Sequence, residues 1–372
     1  MQASDTVSAL QEQVRRALAE RRPLLPRGGA SKRWLDPDPQ RSRGAQLLDM
    51  RAHAGIVAYE PSELYVTARA GTPLAELEQL LAGQGQCLPC DPPRFARDGS
   101  GATVGGMVAS GLSGPGRLSV GAVRDFVLGA SLLSGRAEVL HFGGQVMKNV
   151  AGFDVSRLLA GSMGSLGAIL EVSLKVLPQP RAQATLAFEM GEGQAIEQVN
   201  RWCARPLPIS ASAWFADADG RERLYLRLRG ARAAVDAACA GLGGERLHEA
   251  QAEALWTGLR EQELDWFAPS WREAAPEALW RIAVPSTTGP LDLPGRTLVE
   301  WGGSLRWLRS EADASVIREA AVRAGGHATR FRGGDPAVPV FTPPSPVLLG
   351  IHRRVKASFD PQGLFPDCFG LS

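Results

Sequence analysis

The sequence predicts an α+β protein of two domains, and three observations carry that expectation. Residues 23–82 alternate strand and helix around a glycine turn. Residues 182–332 run strand, helix, strand, strand, helix, and then a related series. Pro178-Gln179-Pro180 punctuates the chain between them, as expected at a domain boundary. At 372 residues the chain is long enough for two domains and a sizeable core.

The elements follow in chain order. Ser4 to Arg22 sets Val7, Leu10, Val14 and Leu18 at helical spacing, which predicts an amphipathic surface helix. The stretch is charged and has no continuous apolar core, so it does not read as a signal peptide. A short apolar strand then enters Pro26-Arg27-Gly28-Gly29-Ala30-Ser31-Lys32. Two adjacent glycines followed by small residues let successive N–H groups turn inward and form an anion-binding nest. Arg27 and Lys32 add positive charge, which suits a diphosphate. A plain turn uses the same residues, so this loop decides nothing alone.

Leu64–Ala68 reads as a strand ended by Gly71. Thr72 is placed to cap a helix with Pro73 at its first position, Leu74, Leu77, Leu80 and Leu81 on one face, and Gly83 at its end. With the nest as its first turn, this region predicts a small βαβ-like unit. Strands are expected at Phe126–Leu133, Ala137–Phe142 and Ala168–Val176. Two more small-residue blocks flank them, Gly99 to Gly111 and Gly161 to Gly167. Three such loops together point to a large cofactor pressed against backbone.

Beyond the boundary, Ala184–Phe188, Ala195–Cys203, Ser210–Phe215, Leu224–Leu228 and Ala231–Cys239 supply the first series. Helical Ala250–Leu259 leads to strands Leu279–Val284, Thr297–Trp301 and Ser304–Leu308, helix Glu311–Ala324 and strand His327–Phe331. The expected product is an antiparallel sheet backed by helices, as two ferredoxin-like halves, with Gly302-Gly303 as a two-residue hairpin turn. Six of the nine tryptophans (Trp256, Trp266, Trp271, Trp280, Trp301, Trp307) fall here, and both a core and a partner interface use tryptophan this way. The tail from Pro346 carries one short helix.

Composition excludes several classes. A net charge of +2 gives no basic surplus for nucleic acid. No apolar run approaches the ~20 residues of a membrane span, and the chain is expected in the cytoplasm. The five scattered cysteines fit neither a secreted disulfide framework nor an iron–sulfur cluster. Cys87-Leu88-Pro89-Cys90 is followed by Asp91-Pro92-Pro93, which bars the helix start that activates a redox pair. No cluster of histidine and cysteine predicts a metal, and no strand leads into a complete Gly-x-Gly-x-x-Gly helix start for NAD.

Arg27 to Lys32, Gly105 to Gly111 and Gly121-Ala122-Val123-Arg124-Asp125-Phe126-Val127-Leu128-Gly129 resemble the flavin fold of vanillyl-alcohol oxidase and p-cresol methylhydroxylase. Gly143 to Asp154 with Arg157-Leu158 narrows the resemblance to the glycolate oxidase and D-lactate dehydrogenase branch. Leu88-Pro89-Cys90, Leu207-Pro208-Ile209-Ser210, Trp301-Gly302-Gly303 and Gly325-Gly326-His327-Ala328-Thr329-Arg330-Phe331 are similar to the smaller FAD-binding subunits of bacterial glycolate oxidases. This last similarity runs over essentially the whole chain.

The resemblance implies a two-subdomain FAD-binding domain of the p-cresol methylhydroxylase type over residues 1–180. It implies a cap domain for substrate or subunit contact over 181–335, and a tail, 336–372, returning to the first domain. Arg27, Gly28, Gly29, Ala30 and Ser31 would hold the FAD diphosphate. Thr103, Gly105, Gly106, Ala109 and Ser110 would line the flavin and its ribityl chain. Gly161, Gly164 and Ile169 would pass beside the adenine or the flavin ring, and Lys148 and Asn149 would meet the electron-rich side of the flavin. The first loop has no histidine or cysteine for covalent attachment, so FAD is expected to be noncovalent.

The implied activity is oxidation of glycolate to glyoxylate, within a complex that adds a larger FAD-binding catalytic subunit and an iron–sulfur subunit. Any membrane association would run through those partners. Oxidising a 2-hydroxy acid needs a base for the hydroxyl proton and a cation for the carboxylate. Catalytic relatives carry His-x-x-Gly-His-x-Gly-Asp-Gly-Asn for this, and the stretch is absent from this chain. His327 as base and Arg330 as clamp are the nearest candidates, yet strand periodicity sets them on opposite faces unless a bulge intervenes. The tail also lacks the asparagine of the Asn-Pro-Gly that relatives show after Asp-Pro. A supporting or electron-relaying subunit is therefore the leading expectation. A self-sufficient 2-hydroxy-acid dehydrogenase and an assembly subunit with structural FAD are the alternatives.

Overall fold

A computed structural model describes residues 3–36, 42, 44–96, 101–145, 154–217, 219–271 and 276–368. The chain divides into two units. One comprises Met1–Ser113, Ala122–Gln179 and Pro343–Ser372; the other comprises Gly114–Gly121 and Pro180–Thr342. Residues 114–121, expected in the first domain, thus pack with the second unit. The short helix Arg117–Val120 lies against a strand of that unit.

In the first unit, helix Ala3–Glu20 buries Thr6, Leu10, Val14 and Ala17, a seam of helical period. Val7 and Leu18 lie half-buried at its edges. Strands β1 (Leu24–Arg27) and β2 (Gln46–Asp49) pair in parallel, joined through the glycine loop and a 3-10 turn at Arg33–Leu35. The remaining strands are β3 (Ile56–Glu60), β4 (Tyr65–Arg69), β5 (Gln86–Cys87), β6 (Val127–Leu133), β7 (Val139–Gly143), β8 (Ala168–Lys175) and β9 (Leu177–Pro178). Five of them form an antiparallel sheet in the order β3-β4-β8-β6-β7. All seven residues of β6 are buried, as in a strand covered on both faces.

The parallel pair is β1 and β2, whose connection opens with the nest, and helix Leu74–Gly83, which follows β4, does not link parallel strands. One local expectation is corrected. Pro73, not Thr72, stands at the N-cap of that helix. The Thr72 hydroxyl instead accepts from the Gly55 N–H at 2.9 Å and donates to the Gly55 carbonyl at 3.1 Å. Leu74, Leu77 and Leu81 are buried as the pattern requires.

The second unit is built on one eight-stranded sheet. Its strands are β10 (Ala182–Glu189), β11 (Ile209–Ala216), β12 (Glu222–Gly230), β13 (Glu245–Arg246), β14 (Ala278–Ala283), β15 (Arg296–Glu300), β16 (Leu305–Ser310) and β17 (His327–Arg332). The order is β13-β10-β12-β11-β15-β16-β14-β17. Each run of four has the ferredoxin-like arrangement, and the two runs meet where β11 pairs antiparallel with β15. Helices Glu192–Cys203 and Arg232–Leu242 cover the first half with Ile196, Val199, Trp202, Val235 and Ala238. Helix Ala314–Arg323 covers the second with Ile317 and Ala321. Between β14 and β15 the second half has no helix.

The β15–β16 connection spans Trp301 to Ser304, with a 3-10 segment at Trp301–Gly303, and is therefore not a two-residue hairpin. Trp256, Trp266, Trp280, Trp301 and Trp307 are all buried, so the tryptophan concentration is core. Cys90 is buried too, and burial holds its thiol above the ordinary range, in keeping with an inert Cys87/Cys90 pair.

Candidate functional site

The first unit encloses a cavity of about 240 Å³ directly after β1. Its wall includes Arg27, Gly28, Gly29, Ala30 and Ser31 on the first loop, and Thr103, Gly106, Ala109 and Ser110 on the second glycine block. A smaller cavity of about 80 Å³ adjoins it, sharing Arg27, Thr103 and Gly106 and adding Gly105, Gly164 and Ile169. Sequence-distant loops therefore converge on one elongated space.

The first loop is shaped by its neighbours. A Cβ on Gly29 would come within 1.6 Å of the Gly101 carbonyl oxygen, and one on Gly28 within 2.2 Å of Thr103 Oγ1. Both glycines are required by close approach to the second block. Ala30 takes a left-handed φ of 59°, which reverses the chain. As a result the N–H groups of Gly28, Gly29, Ala30 and Ser31 donate to no group among the described residues. Four adjacent unbonded donors beside a cavity form an anion nest in need of an occupant. Arg27, Lys32 and Arg33 bring positive charge to the same wall, with Asp36 opposing them. The Lys32 ammonium sits 5.5 Å from the centre of the Phe95 ring and 3.3 Å from Ser31 Oγ.

The second block works differently. Residues Val104–Ser110 form a short helix, whose first N–H groups are already engaged. Val104 donates to Thr72 O (2.9 Å), Gly105 to Ala70 O (2.8 Å) and Gly106 to Thr103 Oγ1 (3.3 Å). These first three N–H groups of the helix are therefore not available to an anion, and the unbonded donors among the described residues lie on the first loop. A Cβ on Gly106 would meet only Thr103 Oγ1, at 3.2 Å, so the fold itself leaves room there.

The third block is tied to that helix. Met163 N–H donates to Ala109 O at 2.8 Å and Gly161 N–H to Val108 O at 3.0 Å. Gly164 reaches the smaller cavity; Gly161 lines neither. Lys148 and Asn149 lie outside the described residues. Sequence reasoning missed Met163 and Pro366, both in the wall of the larger cavity. Met163 sits inside the third block at a φ of 53°, and attention to the glycines alone passed over it.

Pro366 is delivered by a buried clasp. Lys356 Nζ donates to Asp360 Oδ2 (2.6 Å) and to the carbonyls of Ser165 (2.7 Å), Phe365 (3.2 Å) and Pro366 (3.4 Å). Asp360 in turn accepts from the N–H groups of Leu364 and Phe365. One ion pair thereby joins helix Pro346–Phe359, the tail and the third glycine block.

The residues suit FAD. The nest and its cations match a diphosphate, and the side-chain-poor helix face leaves space for an extended group. His327 and Arg330 do not come together. The bulge on β17 falls after Arg330, so residues 327 and 330 keep opposite faces. The Arg330 guanidinium is occupied by the carbonyls of Val338 (3.0 Å) and Gly333 (2.8 Å).

Residues 3–143 match the family described as FAD binding domain. Over 361 residues the chain is 46% identical to glycolate oxidase subunit GlcE of Escherichia coli (strain K12), covering 97% of this chain and 96% of that one. This chain belongs to the GlcE family. Glycolate oxidase subunit GlcD of Bacillus subtilis (strain 168) is 28% identical over 164 residues, 44% of this GlcE-family chain and 34% of GlcD. A solved structure of alkyldihydroxyacetonephosphate synthase covers 95% of the chain and 74% of its own, with a TM-score of 0.65 at 15% identity, and shows the same fold. The protein is thus an α+β flavoprotein oxidoreductase subunit with FAD as its cofactor. Among the described residues no helix is long and apolar enough to cross a membrane.

Proposed function

We propose that this chain is the FAD-holding subunit of a complex that oxidises glycolate to glyoxylate, and that it supports or relays electrons beside a larger, catalytic FAD-binding subunit and an iron–sulfur subunit. The observation that carries the reading is the nest at Gly28–Ser31, whose four N–H groups donate to no group among the described residues, on a chain similar to GlcE over 97% of its length. In this reading the first unit binds FAD, and the second serves as a cap for substrate or subunit contact. The complex works in the cytoplasm, and any membrane contact is made by its other subunits.

Bound FAD would supply a redox centre able to take electrons passed on from the larger subunit. The backbone of Gly28 to Ser31 binds the diphosphate, while Arg27 and Lys32 offset its charge. Thr103, held by its bond to the Gly106 N–H, and Gly106, Ala109 and Ser110 orient the extended group along the helix face. Gly105, Gly164 and Ile169 line its continuation; Lys148 and Asn149 are assigned to the flavin's electron-rich side. FAD is dissociable because the loop carries no histidine or cysteine. Proton abstraction falls to the larger subunit, since His327 and Arg330 are separated and Arg330 is already bonded.

The test is an anaerobic visible spectrum of the purified chain before and after glycolate. A flavin band that stays oxidised, and bleaches once the larger subunit is added, is the expected result. Bleaching of the isolated chain would show a complete substrate site and overturn the supporting role. A folded chain without flavin would overturn the reading as a whole.

A further inference from the structure

The eight-stranded sheet of the second unit is left partly open along β10. This strand pairs with β12 over its whole length, Ala182 to Glu189, whereas on its other side β13 covers only Leu186 and Ala187. The Leu247 N–H extends that cover by one bond, to the Thr185 carbonyl at 3.0 Å, and the chain then turns away into helix Glu249–Glu261. Before Thr185, no strand lies beside β10 among the described residues.

Alternation decides which backbone groups are left. In an antiparallel ladder the N–H and C=O of successive residues point to opposite sides. Thr185 points outward, to Leu247, so Gln183 does too. The other side of the ladder agrees. Arg229, opposite Gln183, donates its N–H to the Pro208 carbonyl, away from β10. The Gln183 N–H and C=O therefore face off the edge, and no described residue outside the ladder bonds them.

The edge opens into a cavity of about 520 Å³, walled by Arg181 to Thr185, by Arg246 to His248 and by the opening turns of helices Arg232–Leu242 and Glu249–Glu261. Arg181, Arg232 and Arg246 all line it, and none makes a hydrogen bond or ion pair with a described residue. Two carboxylates, Asp236 and Glu249, share the wall. Glu249 is the first residue of its helix, where the positive end of the dipole offsets it. The balance of the wall is positive.

An open edge is a template for one more strand, whose main chain supplies the missing hydrogen bonds. Carboxylates on such a strand would meet guanidinium groups that have no partner among the described residues. A second copy of this chain fits less well, because its β10 edge would bring the same arginines and oppose like charges.

We propose that the uncovered edge of β10 is a docking site for a short, extended, acidic segment of another subunit of the complex, which adds a strand at Gln183 and sets its carboxylates against Arg181, Arg232 and Arg246. The existence of a partner subunit rests on the role proposed above; the site itself does not depend on bound FAD.

The test uses the full chain, alone and co-expressed with the larger flavin subunit and the iron–sulfur subunit. Hydrogen exchange of the Gln183 amide is expected to slow at least tenfold in the complex. Gln183→Pro removes the outward N–H and no bond to β12, as proline does on a sheet edge, and should weaken assembly at least tenfold at an unchanged thermal midpoint. Gln183→Ala keeps the N–H and should assemble normally. Arg181→Glu combined with Arg246→Glu should cause a similar loss and flatten the salt dependence, and it stands in for Gln183→Pro should that variant disturb folding. A complex that forms with the Gln183 amide unprotected, and with wild-type affinity in these variants, overturns the proposal and leaves the role in a complex standing. Self-association of the isolated chain that Gln183→Pro abolishes would put a second copy on the edge and overturn it as well. If no complex forms, the docking site and the role in a complex fall together, while flavin content of the same samples reports separately on FAD binding.

Discussion

Replacing Lys356 with Met removes the centre of the clasp that holds the tail to the cavity proposed for FAD. Lys356 is 4% exposed and Asp360 2%, so neither charge is relieved by solvent. The substitution leaves a buried carboxylate whose closest cation, 2.6 Å away, has gone. It also strips donors from the carbonyls of Ser165, Phe365 and Pro366. Breaking a buried pair by removing one partner costs roughly 3–5 kcal/mol. For a unit of this size that is a fall in thermal midpoint on the order of 10 °C. Because Pro366 walls the cavity, FAD affinity falls as well. Differential scanning calorimetry of Lys356→Met, Asp360→Leu and the double variant checks the argument. The double variant should lose less than the sum of the singles, since it carries no uncompensated charge. Additive losses, or a cost for Lys356→Met below about 1 kcal/mol, would refute the view that this ion pair holds the tail.

Three further outcomes are expected. Gly29→Ala, whose Cβ would strike the Gly101 carbonyl, lowers both the thermal midpoint and FAD binding; Gly106→Ala, which meets only Thr103 Oγ1, leaves the midpoint nearly unchanged and weakens FAD alone, as flavin fluorescence on release will report. Lys32→Met weakens FAD by about tenfold and flattens the salt dependence of its Kd, because one charge-assisted contact to the diphosphate is removed. His53 is buried and hydrogen bonded to Thr6; burial and then Arg69 hold its pKa below the ordinary 6.5. The unfolded chain therefore takes up its proton first, so the contribution of His53 to stability is whole above pH 6.5 and declines as pH falls below it. Urea midpoints from pH 7.5 to 5 should show that decline, and His53→Gln should lessen it.

Much of this molecule is written locally. The apolar spacing of Leu74, Leu77 and Leu81 gives a helix and its buried face, because helical period depends only on neighbours along the chain. The strand and helix succession from 182 to 332 is enough for two ferredoxin-like halves, since short connections leave few ways to pair the strands. Gly28-Gly29 marks the anion loop, and the missing histidine-rich stretch marks a weak catalytic case.

Approach between distant segments was decided only in the folded chain. The glycine pair is required by Gly101 and Thr103, more than seventy positions away, and no local pattern encodes that distance. The start of helix Val104–Ser110 has no donors to spare because Ala70 and Thr72 reach it. Met163 and Pro366 join the cavity through bonds to Ala109 and Lys356. Arg281 and Arg117 meet at Trp301 from three separate elements, although each reads in sequence as an ordinary residue. Periodicity and turn chemistry are properties of neighbouring residues and survive in the sequence; which backbone lies against which, and which charges are brought together, is set by packing of the whole chain.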